Sequence, residues 1–274
     1  MDKIQLPENI RSFFGQDAFA DIMRLQGDVY RDVPGRRTMR VDLGNSSYFV
    51  KQHFGVGWAE IFKSFLSFKK PILGAVTEVN AIQKLDAIGI ATTPLVGYGV
   101  KGENPATQQS FLITKDLGEI TSLEDLCADW KANPPDAHFK RRLVIAVADL
   151  ARKLHRNGLT HRDFYICHLC LDVQALKQDQ IKMYLVDLHR MLIHPRASIG
   201  DSMKDIAALY FSTMDAGLTT RDYLRFKRYY AKDFDGVSSS FWQNVLARGN
   251  KLYTKLHSDK FQKRLAAEKA ALDK

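Results

Sequence analysis

The sequence predicts an α+β fold in two lobes, a small antiparallel β-rich lobe with inserted helices followed by a larger, mainly helical one. Three observations predict it. Short strand-like runs, punctuated by turns at Pro34-Gly35 and Gly44-Asn45, dominate up to residue 114. Apolar positions at helical spacing dominate from Ser122 onward. Between them and the C-terminus, an apolar helical run stops at Gly158 and leads through Leu159-Thr160 into His161-Arg162-Asp163, with a further strand ending in Tyr184-Leu185-Val186-Asp187.

Residues 17–26 read as a helix. Asp28-Val29-Tyr30-Arg31, Thr38-Met39-Arg40-Val41 and Tyr48-Phe49-Val50-Lys51-Gln52-His53 then form an antiparallel meander across the two turns. Helical patterns follow at 58–68 and 74–88, the second closed by Gly89, and strand-like runs at 92–98 and 110–114 complete about five strands. The pattern changes at Lys115-Asp116-Leu117-Gly118, which divides the chain into an N-terminal lobe, 1–116, and a C-terminal lobe, 117–274. The second lobe carries helical patterns at 123–130, 139–156, 204–215, 220–230 and 241–274, with a strand at 181–187 closed by Asp187. There is no internal repeat.

Length and composition bound the function. At 274 residues, with 45% hydrophobic and 26% charged residues, the chain can bury a substantial core. Three cysteines and a start without the apolar core of a signal peptide place it in a reducing cytosol. No apolar run approaches the roughly 18 residues of a membrane-spanning helix, so any membrane contact is expected to be peripheral. The net charge of +9 favours partners carrying phosphate or carboxylate. Nucleic acid is not expected, because no strand-binding face interleaves basic and aromatic residues.

The helix-glycine-His-Arg-Asp arrangement followed by a strand and an aspartate is the layout of a phosphoryl-transfer site. Such a site holds phosphates with a cation, magnesium with carboxylates, and an acceptor hydroxyl with a base. Lys51, on the third meander strand, is the candidate phosphate cation, and Glu78 on the helix 74–88 is the carboxylate that would hold it in position. Asp163 is the candidate base, with His161 and Arg162 as scaffold. Asp187 is the candidate magnesium ligand between nucleotide phosphates. The phosphate loop is thin: Val33-Pro34-Gly35-Arg36-Arg37 offers one glycine, Gly35, and either its two arginines, Arg36 and Arg37, supply charge where backbone amides usually suffice or it is simply an exposed basic hairpin. Two further departures stand out. His168 occupies the place of the asparagine that is the usual second metal ligand, so it contacts phosphate or water, or one ion suffices, or turnover is weak. Leu188-His189-Arg190 replaces the usual Phe-Gly. The cluster His155, His161, Cys167, His168 and Cys170 has one zinc-like Cys-x-x-Cys spacing but no second pair, so buried loop thiols are the preferred reading.

These blocks carry a resemblance. Lys51-Gln52-His53-Phe54-Gly55-Val56-Gly57-Trp58-Ala59-Glu60-Ile61, Pro71-Ile72-Leu73-Gly74-Ala75 before Glu78, His161-Arg162-Asp163-Phe164-Tyr165-Ile166-Cys167-His168, Val186-Asp187-Leu188-His189-Arg190 and Lys204-Asp205-Ile206-Ala207-Ala208-Leu209-Tyr210-Phe211-Ser212 together look like the lipopolysaccharide core heptose(I) kinases of Gram-negative bacteria. The match runs over residues 26–230. It implies a protein-kinase-like bilobal fold, ATP and Mg²⁺ as cofactors, and transfer of the γ-phosphate to O4 of the first heptose of the inner core. It places the enzyme in the cytoplasm, peripherally at the cytoplasmic face of the inner membrane. The His168 and Leu188-His189-Arg190 departures belong to this family's own pattern, whereas Val79 stands where its members carry an aromatic. Asp205 resembles the helix aspartate that braces the catalytic loop.

If the resemblance holds, the acceptor is an anionic glycolipid of the inner core. Clusters at Arg36-Arg37-Arg40 and at Arg221, Arg225, Lys227 and Arg228 would steer it, although charge runs are often solvated faces. Trp58, Ile61, Phe62, Phe65 and Leu66 form an apolar stripe that reads first as packing on the small lobe and second as an acyl groove or membrane contact. A basic surface beside such a groove would suit an acidic acyl carrier protein. The alternatives are a 3-deoxy-D-manno-octulosonic acid kinase of the same fold and a non-catalytic nucleotide-binding pseudokinase scaffold.

Overall fold

Alternation along Tyr48-Phe49-Val50-Lys51-Gln52-His53 sets the two faces of the first sheet, because successive strand side chains point to opposite sides. The computed structural model describes residues 2–55, 57–58 and 74–272. By contacts the chain forms two units, Met1–Ile120 with Tyr184–Met191, and Thr121–Met183 with Leu192–Lys274.

In the first unit, β1 (Lys3–Gln5), β2 (Asp28–Val33), β3 (Arg36–Leu43), β4 (Ser46–His53), β5 (Leu95–Lys101) and β6 (Gln109–Lys115) form an antiparallel sheet in the order β1-β5-β6-β4-β3-β2. Helices α1 (Glu8–Arg11) and α2 (Ala18–Arg24) cover one face, α2 being started by Asp17, whose carboxylate accepts from Ala20 N at 3.0 Å. Ile10, Phe19 and Ile22 pack there against Met39, Val41, Tyr48, Val50, Phe111 and Ile113. Each such side chain stabilises by roughly 1.5–3 kcal/mol when fully buried. Gln52 shares that face and donates Nε2–H to Ile22 O at 2.7 Å. Lys51 and His53 therefore face the other way, toward α3 (Val76–Ala87). Beyond the predicted strands the structure adds β1, which pairs Lys3 with Val100 and Gln5 with Tyr98.

The second unit holds α4 (Leu123–Cys127), α5 (Ala137–Arg156), α6 (Val173–Lys177), α7 (Ile199–Thr213), α8 (Thr220–Tyr230), α9 (Ser239–Leu256) and α10 (Asp259–Leu272). On α5 the buried residues Leu143, Val147, Ala148, Ala151, Leu154 and His155 make one helical stripe. A capping box between Thr219 and Asp222 starts α8 where the pattern predicts. Tyr230, at the end of α8, is fully buried among Phe226, Phe234, Phe241 and Trp242.

Several expectations change: the strand predicted over 92–98 is Leu95–Lys101, the helix over 204–215 is Ile199–Thr213, and the helix over 123–130 is Leu123–Cys127. The predicted C-terminal helix is divided at His257-Ser258, where Ser258 O accepts from Phe261 N and Gln262 N and starts a new turn. The strand predicted over 181–187 is Met183–Leu185, and Asp187 lies beyond it in a left-handed conformation, φ 61°. The predicted helix 58–68 and its stripe, Trp58 apart, fall outside the described residues.

Gly158 ends α5 and aims the chain at His161. Its φ of 75° is the left-handed region that favours glycine, and a Cβ there would stand 2.5 Å from His194 O. Gly158→Ala is therefore expected to lower the unfolding free energy by at least ~1–2 kcal/mol, read by urea titration. An unchanged midpoint would contradict this account of the turn.

Candidate functional site

The predicted phosphate grip assembles within the first unit. Lys51 stands on β4, a strand of the sheet interior, and its Nζ meets Glu78 Oε1 at 2.5 Å. Glu78 is 4% exposed and Lys51 22%, so the pair is shielded but keeps one side toward solvent. The helix that carries Glu78 is held at its start by Ser110 Oγ of β6, which accepts from Ala75 N at 3.0 Å. At the preceding residue, Gly74, a Cβ would lie 2.5 Å from that same oxygen.

Gly35 forms the β2–β3 turn with Pro34, at φ 80°, and the turn is tied down by Phe54 N donating to Gly35 O at 2.9 Å. Arg36 follows it and pairs across the ladder with His53. Burial lowers the Arg36 pKa, and Arg31 adds to that, while Asp187 and Glu78 act in the opposite direction. Arg36, Glu78 and Asp187 thus share one electrostatic neighbourhood. His53 is pushed down to about 4, first by burial and then by Arg36, Lys51 and His189, so it is neutral near pH 7.

Asp187 reaches this neighbourhood from the turn after Met183–Leu185. That turn is anchored by Leu185 N donating to Ala91 O at 3.0 Å and by Thr92 Oγ1 donating to Leu185 O at 2.6 Å. The left-handed backbone at Asp187 is one that aspartate tolerates. His189 Nδ1 hydrogen-bonds Asp187 Oδ1, which fixes the carboxylate. Cations on the sheet with a hard carboxylate oxygen beside them are a donor set that fits a polyphosphate and a divalent cation.

The second unit holds Asp163. Asp205, 1% exposed on α7, accepts from His161 N at 2.6 Å and from Arg162 N at 2.9 Å, which holds Arg162 at φ 76°. Seven residues on along the same helix, Ser212 Oγ accepts from Ile166 N at 3.2 Å. One helix therefore holds the loop on both sides of Asp163. His168 Nδ1–H donates to Asp163 O at 2.7 Å, and Tyr165 N donates to the same carbonyl at 2.9 Å.

A residue pair that the pattern does not reveal backs this clamp. His155 Nε2 lies 3.3 Å from Asp205 Oδ2, and His155 Nδ1 lies 2.7 Å from the Tyr230 hydroxyl. The consistent arrangement for a neutral imidazole is Tyr230 O–H donating to Nδ1 and Nε2–H donating to Asp205. Burial pushes the Tyr230 hydroxyl pKa well up, which keeps it a donor. The available signal was a histidine inside the apolar stripe of α5. Of the residues grouped by zinc-like spacing, His155 and His168 have these other partners, and burial pushes the Cys170 thiol up to about 11.

Comparison with known proteins extends the picture. The family model described as "Lipopolysaccharide kinase (Kdo/WaaP) family" matches residues 20–230. The lipopolysaccharide core heptose(I) kinase WaaP of Escherichia coli (strain K12) is 44% identical over 229 residues, 83% of this chain and 86% of that protein. Its namesake in Pseudomonas aeruginosa is 44% identical over 221 residues, 80% of this chain and 82% of that protein. A solved structure of "WaaP in complex with acyl carrier protein" is 37% identical, with a TM-score of 0.78, over 93% of this chain and 100% of its own.

Tyr230→Phe removes the donor to His155 and leaves a buried imidazole nitrogen unsatisfied. It is expected to cost ~1–3 kcal/mol of stability, measured by denaturant unfolding. A loss of less than a few tenths would show that the Tyr230–His155–Asp205 chain does not support the loop.

Proposed function

The chain belongs to the lipopolysaccharide kinase (Kdo/WaaP) family, and on that premise we propose that it transfers the γ-phosphate of ATP to O4 of the first heptose of the lipopolysaccharide inner core. It is an ATP-dependent phosphotransferase acting on a sugar hydroxyl. The observation that carries the site assignment is the Lys51–Glu78 ion pair beside Arg36 and Asp187.

In this reading Lys51 holds phosphate oxygens, Glu78 keeps its ammonium aimed, and Arg36, next to Gly35, supplies a second cation. Asp187 offers carboxylate oxygen to Mg²⁺, which when bound would neutralise charge on the transferring phosphoryl group. Asp163 accepts the proton of the acceptor hydroxyl as that hydroxyl oxygen bonds to the γ-phosphorus and the bond from this phosphorus to the bridging oxygen breaks, releasing ADP. His168 commits Nδ1 to the Asp163 carbonyl, which fixes its ring against the proposed catalytic loop. Asp205 is kept for positioning.

On this reading the protein works in the cytoplasm, in peripheral contact with the inner membrane that carries its acceptor. The net charge of +9 supports that placement, and among the described residues no helix is long and apolar enough to cross a membrane. An acyl carrier protein is the proposed partner, the same kind of protein that accompanies WaaP in the 37% identical solved complex. What supports it here is an apolar cavity of about 180 Å³ within the second unit, lined by Leu143, Val147, Leu209, Tyr223, Trp242 and Val245. Lys227 of the basic helix α8 also borders it. An acyl chain suits the cavity and an acidic carrier suits α8.

Two outcomes are expected. With ATP, magnesium and dephosphorylated lipopolysaccharide, the wild-type protein places phosphate on the first heptose, located by mass spectrometry, and Asp163→Asn loses ~10²–10⁴-fold in rate. Phosphate on the octulosonic acid instead would replace the acceptor. Purified from a recombinant host without detergent, the protein carries an acyl carrier protein detectable by intact mass. A monodisperse protein free of any carrier would remove that partner.

A further inference from the structure

His53 has no role in the kinase pattern, yet it lies beside the phosphate grip. It is the last residue of β4, two after Lys51 and so on the same face of the sheet. Across the ladder stands Arg36, the first residue after the Pro34-Gly35 turn. The next residue, Phe54, donates its N–H to Gly35 O, so the chain at His53 is fastened to the hairpin tip.

The side chain is 5% exposed, and its Nε2 is buried with no hydrogen-bond partner among the described residues. A buried polar nitrogen left in that state costs stability and calls for an explanation. Its surroundings supply one. Three basic groups, Arg36, Lys51 and His189, act on it besides burial, and the two carboxylates nearby are already engaged, Glu78 by Lys51 and Asp187 by His189, so an anion is the ligand that suits this nitrogen. The hairpin above has a single glycine at Gly35, and cannot offer the run of backbone amides by which a glycine-rich loop holds phosphates. Side-chain donors would have to stand in for them.

We propose that His53 is a nucleotide-binding residue that donates Nε2–H to a non-bridging oxygen of the nucleotide's polyphosphate, forming with Lys51 and Arg36 a three-donor grip. The inference rests on the kinase reading above and adds to it the residue that completes phosphate recognition. A neutral donor has a specific use here. It satisfies a phosphate oxygen without adding a third full charge beside Arg36 and Lys51, whose mutual repulsion it would otherwise increase.

The test is isothermal titration of the full chain, with magnesium, against a non-hydrolysable ATP analogue and against adenosine, together with the melting temperature of the ligand-free protein. His53→Leu is expected to weaken analogue binding about 10-fold, leave adenosine binding unchanged and not lower the melting temperature. His53→Gln, whose amide N–H₂ can donate from a similar position, is expected to recover most of the lost affinity. Analogue affinity in His53→Leu equal to wild type would overturn the proposal. So would a fall in melting temperature with equal loss for both ligands, which marks an ordinary core histidine. If the wild-type protein itself binds neither ligand, the kinase reading fails first, and this inference with it.

Discussion

The Asp205 carboxylate is the constraint on which the proposed catalytic loop of the second unit depends. Two consecutive backbone amides, His161 N and Arg162 N, can point at one carboxylate only if the chain leaves the extended conformation, and Arg162 does so at φ 76°. A left-handed arginine costs about 1–2 kcal/mol, and burying Asp205 costs more unless its charge is satisfied. Charge-assisted hydrogen bonds offset both. The His155–Tyr230 chain adds a third donor from α5 and α8, so three helices converge on one carboxylate. Asp163, the proposed base, therefore sits on a backbone whose shape is set by Asp205, His155 and Tyr230.

The first unit solves the same positioning problem with an ion pair. Lys51 alone is a flexible cation with a long stem, and its side-chain entropy would blur any phosphate contact. Fixing it needs Glu78 at a set distance from β4, which in turn needs the start of α3 at a set height over the sheet. The helix start has no side-chain cap of its own, and Ser110 Oγ supplies the missing acceptor from β6. Ser110 lies directly across the ladder from His53, so the anchor of the helix and the proposed phosphate donor share one ladder position.

What was legible in the sequence follows from the range of the signals. The meander β2–β3–β4, the helix carrying Glu78, and α5 and α8 are set by local periodicity, turn residues and caps, and they are where the pattern puts them, whereas α7 begins at Ile199, ahead of the predicted 204, because Ser198 caps it. β1 was not legible, because three exposed residues carry no alternation and their partner strand is some 95 positions away. The break between α9 and α10 was hidden because lysine- and alanine-rich stretches read as helix on either side. Asp187 was misplaced by two residues because Val186 continues the apolar run, and nothing local announces a left-handed turn. The motif residues were found as types at spacings, but the contacts that orient them, Tyr230 to His155 above all, join helices whose relation is tertiary.

The three departures from the general kinase pattern, at the hairpin, at residue 168 and after Asp187, have one physical feature in common. At each place a basic side chain stands beside a group of the proposed site: Arg36 by the turn, His168 on the Asp163 carbonyl, and His189 on Asp187. An imidazole with one nitrogen committed to a protein acceptor is a rigid spacer, since fixing Nδ1 also fixes the direction of Nε2. A flexible asparagine or a glycine turn gives up that rigidity for adaptability, which suits a site that must close on a variable partner. Histidine at 168 and 189 instead builds the geometry in before any ligand arrives, so less ordering entropy is lost on binding.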